Sequence, residues 1–117
     1  METSILTSVK KAIGLTSSDD TFDIDIIMHI NSALLPLTQI GIGPVTGYQV
    51  IGVIDDWTDF LGTRIDLDAA KSYIYMKVRL IFDPPSNAFV VTSMERQLDE
   101  LIARLSIQVE TVIEEAI

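Results

Sequence analysis

The chain holds no cysteine, one histidine and one tryptophan. Without thiols there is no disulfide framework, no thiolate metal site and no cysteine nucleophile, and the redox compartment is left open. A single histidine, His29, rules out a two-histidine metal site within one chain, and any Ser-His-Asp arrangement has to be built on that residue. Bases are scarce as well. Eight Lys and Arg stand against 17 Asp and Glu, a formal net charge of -9, which disfavours gripping a phosphate backbone. No long apolar run is present, since the best stretch, 24–37, is interrupted by Asp25, His29 and Asn31, whereas a membrane helix needs about 20 apolar residues. The first residues lack the basic start and apolar block of a signal peptide, so synthesis in the cytoplasm is expected.

What is abundant is apolar side chain. At 117 residues, 48% hydrophobic and with a mean hydropathy of +0.36, the sequence fits one small domain, and small domains bury a modest share of their surface. Part of this apolar surface is expected to meet another protein.

Periodicity predicts an all-α fold, a small bundle of about five helices with a long C-terminal helix and a short hairpin or extended loop near residues 38–52. Ser4 or Thr3 caps a first helix carrying Ile5, Leu6, Val9, Ala12 and Ile13, ended by Gly14. A second begins in the turn-rich segment 16–20 and buries Phe22, Ile26, Ile27, Ile30, Ala33, Leu34 and Leu37, with Pro36 distorting or ending it. Asp55 or Asp56 caps a short helix with Trp57, Phe60 and Leu61, closed by Gly62. Asp66 or Asp68 opens another, burying Leu67, Ala70, Ile74, Val78 and Ile81, and Asp83-Pro84-Pro85 stops it. The last helix runs from Ser86 or Asn87 to about Glu115, with an apolar stripe through Val91, Met94, Leu98, Leu101, Ile102, Leu105, Val109, Val112 and Ile113. About 27 residues make roughly 40 Å of helix, more than the roughly 35 Å diameter of a sphere of this chain length. The end is expected to project, leaving Ile107, Val109, Val112, Ile113 and Ile117 in need of a partner.

The acids come in pairs, Asp19-Asp20, Asp23-x-Asp25, Asp55-Asp56, Asp66-x-Asp68, Asp99-Glu100 and Glu114-Glu115. The first four fall at proposed helix starts, where carboxylates accept orphan amides and complement the helix dipole. That reading is preferred to a metal or catalytic cluster. Calcium-loop, P-loop and dinucleotide patterns do not occur. His29 is read as a helix-surface partner of Asp25, and Met28, Met76 and Met94 as core filling. No catalytic residue, cofactor or metal is assigned.

Several segments together resemble the head-tail connector, or adaptor, proteins of long-tailed DNA phages and prophages. They are Ile5-Leu6 through Val9-Lys10, Gly14-Leu15, Phe22-Asp23-x-Asp25-Ile26-Ile27-x-x-Ile30-Asn31-x-Ala33, Leu37-x-Gln39-Ile40-Gly41-Ile42-Gly43-Pro44, Trp57, Tyr73-Ile74-Tyr75-x-Lys77-Val78-Arg79-Leu80-Ile81-Phe82-Asp83-Pro84-Pro85 and Leu98-x-Glu100-Leu101-x-x-Arg104-Leu105. The resemblance covers nearly the whole chain. It implies a structural virion protein, made in the bacterial host, that forms a homo-oligomeric ring at the neck, twelve-fold in the virion. Its neighbours would be the portal and the stopper or tail completion protein, with DNA passing through without sequence-specific binding. On this view Leu101, Leu105, Val109, Val112 and Ile113 meet neighbouring subunits or the portal, and acids facing the channel keep DNA from sticking. One alternative is a small helical regulator that binds a protein partner through the C-terminal helix. Another is a metal-dependent phosphohydrolase using Asp23 and Asp25.

Overall fold

The computed structural model describes residues 3–116, with side chains described through Thr111. It contains α1 (Ile5–Ala12), α2 (Asp23–Gln39), α3 (Trp57–Leu61), a short 3-10 turn (Ile65–Leu67), α4 (Ala69–Phe82) and α5 (Ala88–Ala116), and no strand among the described residues. The all-α expectation holds, and 40–56 is an extended loop rather than a hairpin.

Local chemistry sets the ends of these helices. Ser4 caps α1 by accepting from the Thr7 amide, and Gly14 leaves it with φ +91. Asp56 opens α3 through a reciprocal capping box in which its own amide donates to the Asp59 carboxylate at 2.9 Å. Asn87 starts α5, its side-chain oxygen accepting from the Phe89 amide at 2.8 Å. The stop at Asp83-Pro84-Pro85 falls where it was expected, with α4 ending at Phe82. Pro36 lies inside the last turn of α2, which continues only to Gln39, since the ring forfeits one amide near an end where few bonds remain to be lost.

The core forms where α4 packs against α2 on one flank and α5 on the other, with α1 closing over α2 and α4. Ile26, Ile30, Ala33, Leu34 and Leu37 of α2 meet Ala70, Tyr73, Ile74 and Val78 of α4, and Ile5 and Val9 of α1 complete the cluster. Trp57 joins it from α3. Its indole donates to the Ser8 hydroxyl at 3.1 Å and its ring meets Tyr75 edge-on at 6.0 Å. Backbone bonds from Ile5 to Asp55 and from Trp57 to Thr3, both 2.9 Å, tie the start of α1 to the α3 cap.

Three expected core residues are exposed instead: Met28, Ile81 and Phe22. Phe22 stands before α2 and rests edge-on against Phe82 at 5.3 Å, while Ile81 falls at the end of α4 where no second layer covers it. Met28 lies on the outer side of α2. Nor does His29 form an ion pair with Asp25 among the described residues. The acid that pairs is Asp23, whose Oδ1 lies 2.8 Å from the Nζ of buried Lys10, off the direction of a hydrogen bond, while that ammonium also donates to the Ser17 carbonyl at 3.3 Å.

The molecule measures 47 × 35 × 25 Å. The 29 residues of α5 amount to about 43 Å at the helical rise. The expected projection is corrected as far as Val109, which is 5% exposed.

Candidate assembly surface

The outer surface of α2 and the long loop form one continuous unit. Asn31, on α2, donates to the Val50 carbonyl at 3.1 Å and accepts from the Val50 amide at 2.8 Å. A β-ladder would satisfy this backbone with another strand; here one amide side chain does so. Beside it runs an open groove of about 670 Å³ lined by Asn31, Ser32, Leu35, Thr38, Tyr48 and Gln49 among others.

Asp55 holds the far end of the loop. It accepts from the Tyr48 hydroxyl at 2.7 Å and from the amides of Ile51 and Gly52 at 2.8 and 3.0 Å. Desolvation pushes its carboxyl pKa up, but these three donors outweigh that and leave it below the ordinary value. The Tyr48 hydroxyl is driven well above its usual range, by burial first and then by its bond to Asp55. Two glycines set the loop's near end. Gly43 has φ +86, and a Cβ there would lie 2.6 Å from the Phe60 ring, while Gly41, at φ +100, passes so close that its Cβ would meet Val109 at 3.1 Å.

That last contact explains the fate of the C-terminal stripe. Leu105 is 2% and Val109 5% exposed, Val109 being covered by the loop at Gly41 and Gln108 bonded to Asp66 at 3.2 Å. The expectation that Val109 lacks cover inside its own chain is thus corrected, because the loop returns to the C-terminal half of α5. Leu101 is half-buried beside a smaller groove shared with Ser72, Met76 and Arg104. Val112 and Ile113 lie beyond the residues whose side chains are described, and Ile117 lies outside the described residues altogether. The large apolar side chains that α5 exposes among the described residues are Phe89, at 87%, Ile107, at 62%, and Val90, at 43%.

The paired acids act as local fasteners. Asp66 forms a bidentate pair with Arg64, which holds its pKa down at about 2, and Asp68 pairs with Lys71 at 2.9 Å. Asp19 accepts from the Thr21 amide at 3.1 Å. Among the described residues no three of His, Asp and Glu converge as a metal site, and no helix is long and apolar enough to cross a membrane.

One signal in the sequence went unused. Between Asp25 and Asp55 no Asp, Glu, Lys or Arg occurs, so residues 26–54 carry none of the chain's 17 acids or 8 bases. Six of the thirteen large apolar side chains exposed among the described residues fall there: Met28, Leu35, Val45, Ile51, Val53 and Ile54. Charge-free sequence with uncovered apolar groups is the mark of a surface meant to meet protein.

Comparison with known families places this geometry. Residues 5–112 match the family described as phage connector protein, and the chain belongs to that family of structural phage proteins. No curated protein and no solved structure matches it.

Proposed function

We propose that the chain is a ring-forming subunit of the phage neck, seated between the portal and the stopper or tail, through which DNA passes during packaging and ejection. The observation that carries this reading is the family match over residues 5–112. Its physical support is the uncovered apolar surface, too extensive to be idle on a protein of this size. In the ring Leu101, Val112 and Ile113 serve as contact residues toward a neighbour or the portal, while Leu105 and Val109 act from inside, fixing the course of α5. The net charge of -9 suits a passage for a polyanion, because acids facing the channel give phosphates no cations to displace and so no counterion-release attraction. The ring is catalytically inert and needs no cofactor.

Sizing of the purified chain alone and with portal complexes from the phage that encodes it tests the proposal. A ring-sized species containing both proteins is expected. A chain that stays monomeric beside portals over a wide concentration range would overturn it, whereas a monomer by itself is compatible with assembly driven by the partner.

A further inference from the structure

We infer that neighbouring copies join head to tail, the charge-free face formed by α2 and the loop of one copy seating against the outward face of α5 on the next. The inference rests on the ring reading above and names the two surfaces that close it.

Each copy carries -9, so any contact between copies that brings acids together is opposed. Residues 26–54 are the longest stretch of the chain without Asp, Glu, Lys or Arg. Its helical part is coherent. Met28 and Leu35 are about two turns apart and share a side with Ser32, opposite Ile26, Ile30, Ala33 and Leu37 in the core. The Asn31 bonds to Val50 hold the loop against this helix, bringing Ile51 alongside.

The matching surface lies across α4. Phe89 and Ile107 are about five turns apart on α5, hence on one side of it, and Leu98, Leu105 and Val109 occupy the opposite side, in the core. Between Phe89 and Ile107 that outward side carries Ser93, Arg96, Glu100, Ala103 and Arg104, with Glu100 engaged by Arg104 at 2.8 Å. Glu100 and Arg104 neutralise each other there, and Arg96 is balanced by exposed Asp99 at the edge, so the strip is near neutral in a strongly acidic chain. A charge-free face meeting a near-neutral strip brings few unpaired acids together.

The occupant is a second copy because the chain presents two unlike faces on opposite flanks of α4, which separates α2 from α5: one apolar and charge-free, the other a mixed strip with Phe89 and Ile107 at its ends. A two-fold dimer needs one self-complementary patch. A closed ring needs two different patches that fit each other.

Paired charge insertions test this, since all four sites are exposed. One variant carries Leu35→Glu and Ile51→Glu, the other Phe89→Glu and Ile107→Glu, and Thr63→Glu serves as the charge control, with circular dichroism confirming that each folds. Ring yield on portals is read by size-exclusion chromatography with light scattering. Each double variant is expected to lose ring yield by at least about tenfold, while the control assembles as the unmodified chain does. Mixed together on portals, the two double variants should form one-to-one pairs that grow no further, each supplying the face that the other has lost. If either double variant builds rings as well as the unmodified chain, or the mixture gives no pairs, the surface assignment is wrong and the ring reading stands. If the unmodified chain itself forms no ring on portals, the ring reading fails and the assignment with it.

Discussion

Residues 26–54 and helix α5 solve the same problem by different means. Helix α5 satisfies its own backbone and needs only an apolar stripe, so its charges lie on the exposed sides, Glu100 with Arg104 among them. The loop after α2 has only isolated turn bonds, such as that from the Gly47 amide to the Pro44 carbonyl at 2.9 Å, and side chains supply further partners: Asn31 for Val50, Asp55 for Ile51 and Gly52. Periodic structure tolerates change at most exposed positions. A loop held by two polar side chains and three positive-φ glycines concentrates its stability in few residues.

The sharpest contrast lies within α5 itself. Leu105→Ala should cost about 3 kcal/mol, the usual penalty for emptying a buried leucine site, whereas Ile107→Ala should change stability by less than about 0.5 kcal/mol. Urea unfolding of both variants checks this, and equal costs would mean that Leu105 is not core. Gly43→Ala should come next, at about 2 kcal/mol, because an alanine pays for the left-handed backbone and also pushes into the Phe60 ring. An alanine tolerated there at no cost would refute the account of the loop's near end.

Asn31→Ala should cost about 1–2 kcal/mol by leaving the Val50 amide and carbonyl without partners. Hydrogen exchange at Val50 should accelerate while α5 amides stay protected, and an unchanged rate would remove Asn31 from the loop's supports. Asp55 gives a pH signature. Its folded pKa is below the ordinary value, so its contribution is complete above the unfolded pKa near about 4 and is lost as pH falls through the lower folded value. Stability of the native chain should therefore drop on acidification more than that of Asp55→Asn, in thermal melts between pH 6 and pH 2; parallel curves would show that the carboxylate carries no linkage. The smallest effect belongs to the exposed pair on α5, where Glu100→Gln should cost no more than about 0.5 kcal/mol and less in high salt.

Much of this architecture could be read residue by residue. Ser4, Gly14, Asp56, Gly62 and Pro84-Pro85 act within one turn of themselves, so five ends of three helices followed from local chemistry. The stripes of α2 and α4 were legible from their spacing, since a helix turns at a fixed rate. The failures share a cause. Met28, Ile81 and the cover over Val109 depend on which face meets which neighbour, and spacing along one helix carries no information about the next. The charge gap from 26 to 54 was legible too, but only the fold turned it into a surface, by laying the loop along α2.

The sequence by itself determined the helices, most of their boundaries though not the start of α2, which falls at Asp23 rather than in 16–20, the acidic balance and the family, because each is written in short-range patterns or in the order of residues. Tertiary structure alone decided that the loop folds back to cover Val109, and that α4 separates the charge-free side of α2 from α5. Those outcomes depend on long-range packing among α2, α4, α5 and the loop, where burial is a property of pairs of surfaces rather than of any one segment.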